Sequence, residues 1–579
     1  MTQPRPEYPR PQFKRDAWVN LNGQWTYEFD AGKSGRQRGL AESTGFADAI
    51  TVPFCPESAL SGVGHTDFIE MMWYHRTITV PDAWAGKRVL LHFGAVDYEC
   101  EVFIDGVSVG THWGGTVAFS LDATDAVTPG VQQNLVVYVR DEVRSRVQPG
   151  GKQSPRFRSY GCMYTRTTGI WQTVWMEAVN PYGLEDVQIV PDLDNASFVL
   201  APTFYAEMRG LRFRATLAAD GETVNAGTWA AGNGLPYVLT VPDPRLWCPA
   251  DPFLYGLTLE VLDGDAVIDT VESYAGLRKV HIEGNRILLN NEPYYLRLVL
   301  DQGFYPDGLW TAPTDEALKH DIELSMAAGF NGARLHQKIF EPRFHYWADK
   351  LGYLTWGESS SWGIDVTGSE SARNFLSEWR EIVTRDRNHP SIIAWTPFNE
   401  TRGGGGHPQH KRLHTEAYEL SHDLDPTRPV NDASGYVHVK TDIWTVHNYN
   451  QVPDVLKQDL RPDPETGVWR NAPDVEIPYA GQPYIVDEFG GIKWIPREDL
   501  VFAEDSWGYG DDPKTLEEFY TRLEGLVDVV LAFDHICGYC YTQLTDIEQE
   551  QNGVYNYDRS EKFDIGRVAK ILGKNPGDD

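Results

Sequence analysis

Ser391-Ile392-Ile393-Ala394-Trp395-Thr396-Pro397-Phe398-Asn399-Glu400 is the stretch whose reading decides the fold. It opens on a β-branched apolar run after His389-Pro390 and ends on two polar residues, Asn399 and Glu400. A short apolar run bounded in this way reads as a strand buried on both faces, as in a parallel sheet. A second stretch has the same grammar: Tyr484-Ile485-Val486-Asp487-Glu488, followed by Gly490-Gly491. A carboxylate where a buried strand emerges is costly unless chemistry uses it. Two strand-end glutamates are the minimal equipment for acid/base and nucleophilic attack on a glycosidic bond. Glu400 and Glu488 are therefore the expected catalytic pair.

Outward from these strands, residues 276–579 alternate strand and helix signals, as βα units do. Strands are expected at Tyr294–Leu300, Asn331–His336, Tyr353–Gly357, Ile392–Phe398, Val430–Ala433, Ile443–His447, Tyr484–Val486 and Gly538–Gln543. A helix is predicted over Asp315–Ala328, with Thr314 as N-cap and Leu318, Ile322 and Met326 as its apolar face. Eight such strands predict a (β/α)8 TIM barrel, whose active site lies at the strand C-termini. Asp301, His336, Glu358, His447, Tyr449 and Gln543 fall at or just past strand ends and join the pair as candidate substrate-binding or supporting residues. Trp356 and Trp362 are candidate cleft walls, and Tyr541 is a candidate stacking floor. For Asp301 and Glu358, a purely structural role is an equal reading.

Residues 1–180 carry short strand signals without helices, including a hairpin at Asp105-Gly106, and imply a jelly-roll β-sandwich. Residues 181–275 form a smaller β block; in it Leu211, Phe213, Ala215 and Leu217 alternate with polar residues, which fits an immunoglobulin-like β-sandwich. The formal net charge of −32 argues against a nucleic-acid partner. No stretch of 18 apolar residues and no leader-like segment is present, so neither a membrane partner nor export is expected, and a cytoplasmic location is. The six cysteines form no disulfide framework. Cys537 and Cys540, three apart on one strand, are expected on opposite faces, which disfavours a zinc site.

At these residues the chain resembles glycoside hydrolase family 2, the family of β-galactosidases, β-glucuronidases and β-mannosidases. Asn388-His389-Pro390-Ser391 leading to Asn399-Glu400 is similar to its acid/base signature, and Pro483–Gly490 to its nucleophile signature. Leu21–Trp25 and Val107–Phe119 resemble its sugar-binding jelly roll, Leu246–Tyr255 its immunoglobulin-like domain and Gly276–Arg278 the entry to its barrel. The resemblance implies that Glu400 is the acid/base and Glu488 the nucleophile. It also implies that Asn399 holds the sugar 2-hydroxyl, Tyr449 orients the nucleophile and Arg334 supports it electrostatically. The implied activity is that of a retaining exo-β-glycosidase acting on a small oligosaccharide or glycoside, with no metal or other cofactor and a homo-oligomer as one possible assembly.

A β-galactoside is the leading expected substrate, with β-glucuronide, β-mannoside and α-L-arabinofuranoside behind it. Glucuronidases of the family carry an Asn-x-Lys near the last barrel strand, whereas here the stretch is Glu550-Gln551-Asn552-Gly553. An acidic residue there would repel a uronate, so a glucuronidase is disfavoured. Two other classes stay open: a non-catalytic carbohydrate-binding protein, and a metal-dependent barrel hydrolase using His336, Glu358 and His447.

Overall fold

The computed structural model describes residues 3–465, 467–496 and 505–578. The chain opens on a jelly-roll β-sandwich. A six-stranded sheet runs in the spatial order Asp48–Val52, Gly23–Phe29, Met71–Thr79, Gln132–Arg140, Glu99–Ile104, Val107–Trp113. It shares one apolar core with a four-stranded sheet of Trp18–Asn20, Val174–Val179, Arg88–Phe93 and Phe119–Asp122. The hairpin after Ile104 turns on Asp105 and Gly106, both with positive φ (46° and 82°), the backbone that a tight two-residue turn requires.

A three-stranded and a four-stranded antiparallel sheet then form the immunoglobulin-like sandwich. On Arg212–Ala219 the residues Phe213, Ala215 and Leu217 face its core, as their alternation predicts.

The rest of the chain is a parallel barrel with helices outside. Its strands are β1 (Leu296–Asp301), β2 (Gly332–Leu335), β3 (Leu354–Glu358), β4 (Ile392–Thr396, resuming as Phe398–Asn399), β5 (Ala433–Ser434), β6 (Trp444–His447), β7 (Tyr484–Gly490) and β8 (Ile536–Thr542). Seven of them hydrogen-bond in the order β4-β3-β2-β1-β8-β7-β6. Strand β5 pairs with the second half of β4, and Gly435 N donates to Thr445 Oγ1 of β6 at 3.0 Å, which brings β5 into the ring.

Alternation sorts the side chains. Leu296, Leu298 and Leu300 fill the barrel interior with Leu354, Trp356 and Cys540, while Val299, Ala333, Leu335 and Tyr539 meet the helices. Trp356 is thus a core residue below the site and does not wall a cleft. Cys537 and Cys540 both join the interior cluster, against the opposite-face expectation, because the β7–β8 register shifts between Tyr484 and Ile485. All six thiols are free.

The first barrel helix spans Asp315–Ala327, and Thr314 Oγ1 accepts from Ala317 N at 3.1 Å. Leu318 and Ile322 are buried, but Met326 is 41% exposed. A spacing of four overshoots a 3.6-residue turn, so the third apolar residue has rotated off the face and Ser325 is buried there instead. Among the described residues, no helix is long and apolar enough to cross a membrane.

Candidate active site

Glu400 leaves β4 with its N–H donating to the Ser434 carbonyl of β5 at 3.0 Å. Its φ of +50° is left-handed backbone, unfavourable for a side chain with a Cβ and typical of positions whose geometry matters to function. Glu488 reaches the same point from β7. Val446 of β6 pairs with Val486 and the next residue, His447, with Glu488, so Asp487 is an extra residue in the ladder. That irregularity turns both Asp487 and Glu488 inward, where strict alternation would admit only one.

His447 lies between the two glutamates. One ligand atom each from Glu400, His447 and Glu488 falls within 4.8 Å of the others. That is short of the roughly 6.5 Å at which inverting pairs begin, and suits direct attack by one carboxylate.

The electrostatics divide the pair. Burial would push the Glu488 carboxyl up, but the charges of His447 and then Arg334 outweigh it and hold it below the usual range. Arg334 Nη1 lies 3.0 Å from Glu488 Oε1, and the Tyr449 hydroxyl donates to Oε2 at 2.6 Å. Burial, then Glu488, raise Tyr449 well above an ordinary phenol, so it stays a donor. Its ring stacks parallel on Tyr509 at 3.5 Å, and its hydroxyl also meets Thr542 Oγ1 at 2.9 Å. Burial would lower His447, yet Glu488 and Asp487 drive it up to about 10. Its Nδ1 sits 2.8 Å from Glu400 Oε1; its Nε2 meets Ser434 Oγ at 2.9 Å, which in turn donates to Asp487 Oδ2 at 2.5 Å.

Arg334 ties the floor together. Its Nε donates to Glu358 Oε2 at 2.5 Å, Nη1 to the Asp487 carbonyl at 3.0 Å, and Nη2 to Asn399 Oδ1 at 2.8 Å. Nη2 also lies 2.8 Å from His336 Nδ1. Burial, followed by the charges of Lys152 and Arg334, pushes His336 well down, so the ring is neutral and Nδ1 accepts. With Asn399 Oδ1 held by Arg334, its Nδ2 is buried without a protein partner among the described residues. A substrate hydroxyl would satisfy it. The Trp362 indole donates to the Asn399 carbonyl at 3.2 Å.

Glu400, Glu488, Asn399, Tyr449, Arg334, His336, Glu358, His447 and Trp362 therefore gather in one place. Besides Trp356, three sequence candidates lie elsewhere. Asp301 has the parity of Val299, not of Leu300. Its Oδ1 accepts from Gly303 N at 2.9 Å, burial and Asp321 push it up to about 7, and it shares no hydrogen bond or ion pair with the cluster. Tyr541 has the parity of Tyr539 and joins the apolar layer under the helices, while its neighbour Thr542 faces the site. Gln543 belongs to an adjoining polar ring: Gln302 Nε2 donates to its Oε1 at 2.6 Å and its own Nε2 to Asn552 Oδ1 at 2.8 Å.

That ring includes Glu550, and the acid is not bare. The Tyr164 hydroxyl donates to its Oε2 and Asn552 Nδ2 to its Oε1, and burial holds the carboxyl above the usual range. The repulsion expected against a uronate is correspondingly weakened. Sequence reading also missed Ser434, Asp487, Thr542 and Tyr509, together with Tyr164 and Lys152 from the jelly roll. Thr542 follows from alternation along β8; nothing periodic marks the last two, which sit in an irregular loop.

Among the described residues, the group of histidine and acid side chains close enough to hold a metal ion is Glu400, His447 and Glu488. Both ring nitrogens of His447 are engaged, Nδ1 with Glu400 Oε1 and Nε2 with Ser434 Oγ, so this donor set fits proton chemistry better than ligation. In the alternative set His336 Nδ1 lies 3.0 Å from Glu358 Oε1, but both are engaged by Arg334, and among the described residues His447 does not complete a ligating group with them.

Residues 280–491 match the family model "Glycosyl hydrolases family 2, TIM barrel domain", and residues 184–278 match "Glycosyl hydrolases family 2", together more than half of the chain. A β-glucuronidase of Paenibacillus borealis is 25% identical over 441 residues, covering 71% of this chain and 72% of that protein. A β-galactosidase of Thermoanaerobacter pseudethanolicus is 24% identical, covering 66% of this chain and 51% of that protein. The chain thus spans only about half the length of some of the relatives it matches. The β-glucuronidase of Ruminococcus gnavus, solved with D-glucuronic acid, superimposes with a TM-score of 0.80 at 19% identity, covering 99% of this chain and 100% of that one.

Proposed function

The chain belongs to glycoside hydrolase family 2 and is a glycoside hydrolase, and from that premise we propose that it cleaves β-glucuronides by retaining double displacement. The observation that carries the mechanism is the approach of Glu400 and Glu488 to within 4.8 Å across His447. In the first step Glu488 attacks the anomeric carbon while Glu400 protonates the leaving oxygen, giving a glycosyl ester on Glu488. In the second, Glu400 takes a proton from water, which attacks the same carbon and releases the sugar with its configuration restored.

His447 holds the two carboxyls in place for this exchange, its Nδ1 lying 2.8 Å from Glu400 Oε1 and 3.3 Å from Glu488 Oε2. Once Glu488 is esterified its charge is gone, and with it the repulsion between the pair. Asn399 Nδ2 is the group available to the 2-hydroxyl, a contact that strengthens in an oxocarbenium-like transition state.

For the sugar, the glucuronide takes precedence over the galactoside. The Paenibacillus and Ruminococcus proteins both bear the β-glucuronidase name. The objection from Glu550 also loses force, since both of its oxygens are hydrogen-bonded and its charge is disfavoured.

The test is a panel of aryl β-glycosides assayed with wild type and Glu488→Gln, with proton NMR of the first anomer released. Glucuronide should be the best substrate, the β-anomer should appear first, and the variant should lose at least about 10³-fold in kcat. Initial release of the α-anomer would sink the retaining mechanism; preferred cleavage of galactoside would move the sugar.

A further inference from the structure

The Gly150-Gly151-Lys152 loop of the jelly roll is docked onto the barrel. Gly150 N donates to the Trp362 carbonyl at 2.8 Å and Gly151 N to the Ser360 carbonyl at 3.1 Å, both just past the end of β3. Lys152 follows and is only 6% exposed. Its Nζ stands 5.4 Å from the centre of the Trp362 ring, whose indole is bonded to the Asn399 carbonyl. Its charge is felt at Glu488, His336 and Glu550, which puts it within electrostatic reach of the catalytic pair.

The other cations of the site are spoken for. Arg334 is paired with Glu358 and Glu488, and His447 with Glu400, Glu488 and Asp487. Among the described residues, Lys152 Nζ makes no hydrogen bond and no ion pair. A lysine whose stem is covered and whose amine has no anion is available to pair with one that a ligand brings.

We propose that Lys152 is the specificity-determining residue that pairs with the sugar's own carboxylate, the group by which a glucuronide differs from a glucoside. This rests on the glycosidase reading above and adds to it a residue from outside the barrel. The role asks for a point charge that can swing on a flexible stem, which lysine provides. The Trp362 face beneath it keeps the amine positioned while leaving its protons free.

The experiment compares 4-nitrophenyl β-D-glucuronide with 4-nitrophenyl β-D-glucoside on wild type, Lys152→Gln and Lys152→Arg. The readout is the ratio of the two kcat/KM values, with Tm recorded for each protein. The ratio should fall about 100-fold or more in Lys152→Gln, as expected when one partner of a desolvated charge pair is removed. Lys152→Arg, which keeps the charge, should recover part of it. A ratio unchanged in Lys152→Gln, with wild type cleaving the glucuronide, overturns this inference and leaves the proposed function standing. Equal losses on both substrates overturn it as well, since Lys152 would then be structural. Wild type that ignores glucuronides while cleaving another β-glycoside overturns both readings together.

Discussion

At the scale of single residues the unusual member of the site is His447. A retaining pair ordinarily keeps its acid protonated through repulsion between two nearby carboxylates. Here an imidazole lies 2.8 Å from Glu400 and 3.3 Å from Glu488, held protonated to about pH 10 by Glu488 and Asp487 in spite of its burial. It helps to keep the nucleophile ionised. Replacing it with asparagine should therefore let Glu488 titrate higher, and the acidic limb of kcat/KM should move toward higher pH. A stability effect follows with its own sign. A histidine raised from about 6.5 in the unfolded chain to about 10 contributes stability fully present below pH 6.5 and lost as pH rises through 10. His447→Asn should flatten the fall of Tm across that window. An unmoved acidic limb and an unchanged slope would mean that the imidazole is neutral.

At the scale of elements, placement depends on parity and its interruptions. Strand composition and the strand-end carboxylates were legible in the sequence, and the eight expected strands overlap the eight observed. Glu400, Glu488, Asn399 and Tyr449 could be named because each ends, or just follows, an apolar run. Asp301 and Tyr541 could not be assigned correctly by strand-end position alone, since one residue of offset sends a side chain to the helix layer. In the other direction, the extra residue in β7 brings in Asp487 beside Glu488, which no periodicity announces.

Lys152 was illegible for a different reason. Loops carry function without a repeating pattern, and this one is positioned by contacts between domains that are remote in sequence. The backbone shows how tightly it is held. Gly151 has φ +56°, and a Cβ there would meet the Gln337 carbonyl at 2.2 Å. Gly151→Ala should thus displace the loop from β3, with a penalty of about 1–3 kcal/mol. The expected result is a drop of about 10-fold or more in kcat/KM for the glucuronide together with a lower Tm. Wild-type kinetics in that variant would show that the loop does not position the site.

At the scale of the whole molecule, the catalytic barrel depends on acid groups buried in another domain. Both arms of the jelly-roll segment that carries Lys152 and Tyr164 hang from three carboxyls. Gln153 Nε2 donates to Asp97 Oδ2 at 2.7 Å and Gln148 Nε2 to Asp141 Oδ1 at 2.8 Å, while Thr168 N donates to Glu57 Oε2 at 3.1 Å. Burial comes first in each case: it raises Glu57 to about 8, Asp141 to about 6 and Asp97 well above its ordinary value, with Asp141 adding to the rise at Glu57 and Asp97.

Such groups bind more protons folded than unfolded, so the stability they contribute is complete below about pH 4 and drains as pH rises through their folded values. For Glu57 the window runs from about 4.3, the unfolded value, to about 8 in the folded protein. Its Oε1 is buried with no partner among the described residues, so the hydrogen bonds from Thr168 only partly offset the cost of ionisation. Glu57→Gln keeps the shape and the acceptor for Thr168 while removing the titration. Calorimetric Tm should coincide for wild type and variant near pH 4.5. Above that the two should separate in the variant's favour, the gap in stability widening by at most about 1.4 kcal/mol for every tenfold fall in proton concentration. A variant that is uniformly less stable at every pH would instead mean that Glu57 is ionised in the native state.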